Sequence, residues 1–324
     1  MEAMEAGSGE ITRPKPRVTS LQTVARPLCL AVAWSIFIAV AYLCDLAPKR
    51  SVDLTGLTIF WAFFSLTEII LCDQVTIAFQ RESLLQQATR DRASWTRLLC
   101  IGAVSGLLLD GLAQWLGKLW IYPYWNEAFY GTTFIIGFAA YWLAISESYV
   151  FVRSILNWIH RERPVRHTPR IHEAALFRGF GAAGITLTTI AIWRVWKEYR
   201  MAGGYVFEIR QRIPIHIHFA YFLMAFIGVW LTLEWVQVAH DKLSLLKTIM
   251  NGRLMPLLAL LIASSVFSIF WETVNSAHHF WIYTNWPLPE WQLAHVPITV
   301  LLTWPLQYVV FLSLSFLLGL DLWI

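Results

Sequence analysis

The sequence predicts an all-α, polytopic transmembrane helical bundle of about eight spans, arranged as two parallel four-helix repeats. Of its 324 residues, 57% are hydrophobic and only 14% are charged, whereas soluble globular proteins carry roughly 25% charged residues. The apolar residues fall in blocks of about 20, the length at which an α-helix crosses the ~30 Å hydrocarbon core of a bilayer. This composition excludes a soluble enzyme, a disordered protein and a secreted disulfide scaffold.

Eight apolar segments account for the predicted spans, and the second of them is the least uniform because it contains Glu68 and Asp73. The segments lie near residues 28–47, 56–79, 97–117, 131–157, 176–196, 214–239, 254–276 and 295–320. They divide the chain into a polar tail (1–27), a first four-span repeat (28–157), a basic linker (158–175) and a second four-span repeat (176–324).

The distribution of positive charge predicts the orientation of these spans. The tail and the connections after the second, fourth and sixth segments hold most of the Lys and Arg residues, with six arginines between Arg153 and Arg178. Under the positive-inside rule, both termini are then cytoplasmic. We expect an integral protein of a bacterial inner (plasma) membrane. Because the basic linker is explained by its topogenic role, no nucleic acid partner is expected.

The two halves resemble each other when they are offset by 161 residues. The run LWIY at 119–122 matches FWIY at 280–283, and Trp125 matches Trp286. Acids and amides upstream also fall within one position of each other: Asp73 with Glu234, Asp110 with Glu272, and Gln114 with Asn275. Since four spans is an even number, the halves would share one orientation and be related by a pseudo-twofold axis along the membrane normal.

Six carboxylates fall inside the predicted spans: Glu68, Asp73, Asp110, Glu147, Glu234 and Glu272. An Asp at the centre of a span costs roughly 2.5–3.5 kcal/mol on insertion scales, and such groups usually face the interior of a bundle. Residues three or four apart share a helical face, as Glu272 does with Asn275 and Asp110 with Gln114. One interpretation is a functional cavity, and the other is that these acids brace the bundle through interhelical hydrogen bonds.

Four of these acids are candidate catalytic residues, namely Asp110, Glu147, Glu234 and Glu272. The candidate substrate-binding residues are Trp120, Tyr122, Trp271, Asn275, Trp281 and Tyr283. A buried carboxylic acid can protonate an alkene or an epoxide, and aromatic faces stabilise the resulting carbocation as they do other cations. For most of the 18 tryptophans, an aromatic belt at the membrane boundary remains the alternative.

No cofactor is predicted, because the sequence contains no GxxxxGK[ST] or HExxH motif, no GxGxxG that opens a helix and no acidic pair of the DDxxD type. His279 and His295 flank the second WIY motif and are the best-placed candidates for a metal or pigment site. The histidine spacings H-x-H and H-H match no established ligand motif. No metal site is therefore predicted, and a role as polar interface residues remains the alternative.

The order of an acid, about ten residues, W-x-Y, a loop and an acid in the next helix is formed by Asp110, Trp120, Tyr122 and Glu147. This order resembles the repeated unit of the membrane lycopene cyclases, over roughly 97–150 and 255–312. The run FWETVN at 270–275 is similar to the W-E helix of the transmembrane meroterpenoid cyclases. The sequence departs from the lycopene cyclases in lacking their Pro-x-Glu-Glu element and in having Gln307 where an acid would be expected.

The resemblance implies acid-initiated cyclisation of a long apolar isoprenoid in an intramembrane cavity. Its expected partners are membrane lipids and an apolar isoprenoid, and a bound lipid, carotenoid or other pigment is compatible with it. The alternative is a non-catalytic membrane subunit that packs against partner helices, lipids or pigments in a larger complex. The missing Pro-x-Glu-Glu element favours that alternative, whereas the duplicated acid, amide and WIY motif favour the cyclase.

Overall fold

The structure is a computed structural model that describes residues 54–79, 83–116, 119–125, 127–160, 172–201, 219–293, 296–320 and 322–323. Its first part comprises α1 (Leu54–Phe79), α2 (Leu84–Thr89), α3 (Arg92–Gly106), the π-helical segment π1 (Leu107–Leu116), β1 (Trp120–Ile121), α4 (Glu127–Thr132), the π-helical segment π2 (Thr133–Gly137) and α5 (Phe138–Ile159). Its second part comprises α6 (Glu173–Met201), α7 (Phe219–Ala239), α8 (Leu245–Met250), α9 (Met255–His278), β2 (Ile282–Tyr283), β3 (Gln292–Leu293), β4 (Val296–Pro297), α10 (Ile298–Ser313) and a 3₁₀ turn (Leu314–Leu318).

Seven helical stretches of the described chain are long and apolar enough to cross a membrane, as in an integral membrane protein. They are Phe60–Phe79, Arg92–Gln114, Phe129–Ile159, Glu173–Glu198, Phe219–Ala239, Met255–Ser276 and Ile298–Leu317. These stretches correspond to the second to eighth predicted spans, so the predicted all-α membrane class is confirmed. The predicted tail at 1–27, the first span at 28–47 and most of the linker lie outside the described residues.

Two six-residue helices, α2 and α8, connect consecutive spans at one end of the bundle, which we call the short-helix end. Each begins at a serine N-cap, because the Ser83 and Ser244 hydroxyls accept hydrogen bonds from backbone N–H groups three residues later, at 3.2 and 3.3 Å. An ion pair of 2.9 Å between Lys247 and Glu173 joins α8 to the start of α6. The loops after π1 and α9 therefore lie together at the opposite end.

The two WIY motifs lie side by side at that opposite end, which we call the aromatic end. Strands β1 and β2 pair antiparallel, with Trp120 opposite Tyr283 and Ile121 opposite Ile282. The Thr284 N–H donates to the Leu119 carbonyl at 2.9 Å, and the Trp286 indole N–H donates to the same oxygen at 2.8 Å. This pairing holds the two loops against each other across the bundle.

Helix α5 is at the centre of the bundle and packs against α1, α3, α9 and α10. Most of its residues are buried, and the fully buried Trp142 donates its indole N–H to the Phe311 carbonyl of α10 at 2.7 Å. On the other side, α6 packs closely along α7. A side chain added at Gly228 of α7 would lie 2.7 Å from the Gly184 carbonyl oxygen of α6, so the two backbones are in direct contact.

Candidate functional site

A cavity of about 470 Å³ lies at the aromatic end of the bundle, within the range of about 300–1,000 Å³ that is usual for ligand sites. Seven of the 18 tryptophans contribute to its lining, among them Trp120, Trp125, Trp281 and Trp286 of the two WIY regions. The ring of Trp61 on α1 lies 5.1–5.5 Å, between centroids, from those of Trp281, Trp271 and Phe280. The cavity is therefore suited to an apolar ligand.

Glu272 is the one carboxylate that the described residues contribute to the cavity lining. Its Oε1 accepts hydrogen bonds from the Tyr283 hydroxyl and, at 3.2 Å, from the Trp304 indole N–H. Its Oε2 is buried and has no hydrogen-bond partner among the described residues. Two donors thus hold one oxygen of this carboxyl group in place, while the other is left without a protein partner.

The Tyr283 hydroxyl remains a donor in this arrangement. Burial raises the pKa of Tyr283 well above its usual range, and the neighbouring Glu272 carboxylate raises it further. The Trp281 indole N–H donates to the Tyr283 oxygen at 2.9 Å, which fixes the ring from the other side. The order Trp281, Tyr283, Glu272 is therefore a directed chain of hydrogen bonds that ends on the acid.

Asp110 forms the corresponding chain in the first half. Its carboxylate accepts from the Trp120 indole N–H, the Tyr122 hydroxyl and the Tyr130 hydroxyl, each at 3.1 Å. The Trp120 N–H also lies 3.1 Å from the Tyr122 oxygen. Both carboxylate oxygens of Asp110 are therefore engaged, and Asp110 is absent from the cavity lining formed by the described residues, whereas Trp120 and Tyr122 belong to it.

The two predicted amides differ in what they bind. Asn275 donates to the Trp281 carbonyl and accepts from the Trp281 N–H, both at 3.0 Å, so it holds the second WIY loop against α9. Gln114 lies on π1, is fully buried, and neither its amide nitrogen nor its amide oxygen has a partner among the described residues. The two halves thus place an amide at corresponding positions, and one of the two braces its loop.

This difference predicts opposite effects on stability for two matched substitutions. Asn275→Leu should lower the free energy of unfolding by about 1–3 kcal/mol, because the N–H and carbonyl of the half-buried Trp281 would both lose their side-chain partner. Gln114→Leu should be neutral or stabilising, because it removes an amide that is buried without hydrogen bonds. Thermal unfolding in one detergent, followed by circular dichroism, measures both variants. Equal destabilisation of the two would contradict the assignment of Asn275 as the brace.

Glu147 and Glu234, the two other predicted acids, lie away from the cavity lining. Glu147 accepts from the Leu85 N–H at the start of α2, at 2.6 Å. Glu234 accepts from the Leu246 N–H at the start of α8, at 3.1 Å, and from the Trp230 indole at 2.8 Å. Each therefore satisfies an N–H group at the start of a short helix, where such groups have no partner within the helix.

The cavity lining includes the predicted binding residues Trp271, Trp281 and Tyr283. Asn275 does not belong to the lining and contacts it through Trp281. Sequence reasoning missed Trp61, Tyr141 and Trp304, which also line it. These three lie inside apolar spans, where an aromatic residue that faces a cavity has no distinguishing neighbour in the sequence. Only Trp304 had a further signal, since it lies three positions before Gln307, where the resemblance led us to expect an acid.

The structure brings together no metal-binding group among the residues it describes. His279 is exposed and ends α9 in a left-handed conformation, with φ at 52°. His295 lies outside the described residues. The suggested pair around the second WIY motif is therefore seen only in part.

No known protein family, curated protein or solved structure matches this chain.

Proposed function

We propose that this integral membrane protein cyclises a long apolar isoprenoid, such as the end of a carotenoid, by acid initiation with Glu272 as the proton donor. The observation that carries the proposal is the position of Glu272. It is the one carboxyl group of the described residues in a lining of aromatic side chains, and its Oε2 is left without a protein partner. A general acid must lie within reach of the atom that it protonates.

The reaction begins when the π electrons of a substrate double bond take the proton of the Glu272 carboxyl group. A new C–H bond forms, the O–H bond breaks, and a carbocation and a carboxylate remain. A second double bond of the substrate then attacks the cation and closes a ring. The Glu272 carboxylate then takes a proton from the carbon next to the cation, which restores a double bond and the acid. The product is therefore an isomer of the substrate, and no oxidant, reductant or net proton is consumed.

The aromatic lining supports the second requirement of this chemistry, which is stabilisation of a cation in the absence of water. A cation within about 6 Å of a Trp, Tyr or Phe ring is attracted by the ring face, most strongly when it is desolvated. Trp271, Trp281 and Trp304 surround Glu272 in the lining. A carbocation formed beside the acid would therefore lie among aromatic rings.

The other predicted acids have supporting roles in this proposal. Asp110 orients Trp120 and Tyr122, while Glu147 and Glu234 hold α2 and α8 at the short-helix end. Glu272 is then the one predicted acid that we assign to the chemical step.

We further infer that the two halves are an internal duplication with both termini in the cytoplasm. Three features support the repeat: the Ser83 and Ser244 caps are 161 residues apart, strands β1 and β2 pair symmetrically, and the chain of Trp, Tyr and acid occurs twice. The orientation is supported by charge, because the short-helix end carries described basic residues from Arg90 to Arg97 and from Lys242 to Arg253. It follows that the cavity lies toward the outer leaflet.

Expression in a lycopene-accumulating host tests the proposed function. Chromatography of the extracted pigments should show a cyclised product with the mass of lycopene, which cells carrying the empty vector lack. The same extraction from cells that accumulate shorter linear isoprenoids tests the wider substrate class. If no cyclised product forms from any of them and the purified protein carries another membrane subunit in fixed stoichiometry, the non-catalytic alternative is correct.

A further inference from the structure

A line of buried polar side chains leads from the cavity toward the short-helix end, along the contacts of α5 with α1 and α10. In order from the cavity, its members are Glu272, Tyr141, Glu68, Tyr308, Ser148, Cys72, Asp73 and Glu147. All of them except the half-buried Tyr141 are at least nine-tenths buried. Except for Glu272, none has a place in the chemistry proposed above.

The line starts at the cavity wall. Gln307 donates its amide N–H to the Tyr141 hydroxyl at 2.7 Å, and both residues belong to the cavity lining. The Tyr141 hydroxyl interacts electrostatically with Glu272, Glu68 and Tyr308. Glu68 in turn accepts from the indole N–H of Trp271, the neighbour of Glu272, at 2.6 Å.

The middle of the line crosses from α10 to α5 and α1. The Tyr308 and Ser148 hydroxyls are 2.9 Å apart, so either can donate to the other. Tyr308 also interacts electrostatically with Glu68 and Cys72. Cys72 interacts electrostatically with Glu68, Asp73 and Glu147, and all four side chains are buried.

The line ends at the start of α2. Glu147 accepts from the Leu85 N–H through Oε1, and the next residue of α2, Gln86, is exposed. The Oε2 atom of Glu147 and the Oδ1 atom of Asp73 are buried without a hydrogen-bond partner among the described residues. A carboxyl group buried only to brace helices would be expected to have both oxygens engaged.

Glu234 shows what a purely bracing acid looks like in this bundle. Trp230 donates to its Oε1 and the Leu246 N–H donates to its Oε2, so both oxygens are engaged. Both carboxylate oxygens of Asp110 also accept hydrogen bonds. By contrast, Glu272, Asp73 and Glu147 each retain an oxygen without a partner, and these three acids lie at the two ends of the line. Chains of intramembrane acids are typical of proton relays, and a hydroxyl can both donate and accept a hydrogen bond.

We propose that Glu68, Tyr308, Ser148 and Glu147 form a proton path that exchanges the proton of Glu272 with water at the short-helix end. At each step a proton passes from one oxygen to the next, and the oxygen that gave it receives another from the preceding group. Each group therefore keeps its charge, and no electrons are transferred. The path rests on the proposed function for its use, since it would set the protonation state of Glu272 before each turnover. Its existence is testable without any substrate.

Infrared spectroscopy of the full chain in lipid nanodiscs tests the path. The protein is transferred from H₂O to D₂O, and the C=O stretch of protonated carboxyl groups is followed as it shifts on deuteration. The band that disappears in Glu272→Gln identifies Glu272. Deuteration of that band should slow at least tenfold in Glu68→Gln and in Tyr308→Phe. The matched control Glu234→Gln removes a buried acid outside the line and should exchange at the wild-type rate.

Equal exchange rates in the wild type and the path variants would overturn the proposal. So would the absence of any Glu272 band at every pH at which the protein stays folded, because Glu272 would then hold no proton to exchange. Ser148→Ala is the smallest change on the line, and it should slow exchange even if the larger variants do not fold. Slowed exchange without isoprenoid conversion would contradict the proposed function alone, and conversion with unchanged exchange would contradict the path alone.

Discussion

Glu272→Gln should lower the yield of cyclised product by about 10²–10⁴-fold, the contribution that a general acid typically makes. Glutamine has the shape of glutamate, and its amide oxygen can still accept from Tyr283 and Trp304, but it has no acidic proton to give. The yield is measured by pigment chromatography of lycopene-accumulating cells that express the variant and the wild type at equal levels. Circular dichroism of the purified variant checks that the bundle stays helical.

Glu198→Gln is the matched control, because it makes the same chemical change near the aromatic end of α6, outside the cavity lining. It should give the wild-type yield. Asp110→Asn tests whether Asp110 or Glu272 is the proton donor, which the sequence alone could not decide. This variant should lose much less product than Glu272→Gln. A wild-type yield from Glu272→Gln would rule this residue out as the proton donor.

The membrane class and seven of the eight spans could be predicted from the sequence, because span length and apolarity are local properties of the chain. The fifth span, predicted at 176–196, lies within α6 at Glu173–Met201. The association of Asp110 with Trp120 and Tyr122, and of Glu272 with Trp281 and Tyr283, could also be anticipated. In each set the three residues lie within about a dozen positions of one another, at the end of one helix and in the loop that follows.

The sequence could not show which acid lines the cavity. That depends on Trp304, which reaches Glu272 from another helix, and on the way Asp110 is enclosed by Tyr130. It depends also on π1, because a π-helical stretch of ten residues breaks the 3.6-residue period on which face assignments rest. The pairing of β1 with β2 could not be predicted either, because two-residue strands are too short to show an alternating pattern.

The sequence could not show the hydrogen-bond partners of Glu147 and Glu234 either. An acid in the middle of an apolar span has the same sequence signature whether it faces a ligand or accepts from the start of a neighbouring helix. The partners that distinguish these cases, α2 and α8, are six residues long, too short for a helical period to be recognised. Only their N-terminal serines, Ser83 and Ser244, mark them in the sequence.

Gly228→Ala should lower the free energy of unfolding by about 1–3 kcal/mol, the usual cost of adding a methyl group to a closely packed contact. The new Cβ would overlap the Thr188 hydroxyl and lie 2.7 Å from the Gly184 carbonyl oxygen and 2.8 Å from the Thr188 nitrogen. Two of these atoms belong to the backbone of α6 and cannot rotate away. Since small residues allow transmembrane helices to pack closely, α6 and α7 would have to separate.

Gly179→Ala is the control within the same helix pair, because a Cβ at this exposed position of α6 meets no atom within 4 Å. It should be neutral or stabilise the protein by up to about 1 kcal/mol, the helix propensity of alanine over glycine. Thermal unfolding in a single detergent compares the two variants, and equal melting temperatures would contradict the close contact of α6 and α7. Because α7 also carries Phe222 and Phe226 into the cavity lining, separation of the two helices should lower product yield in Gly228→Ala, and Gly179→Ala should leave it unchanged.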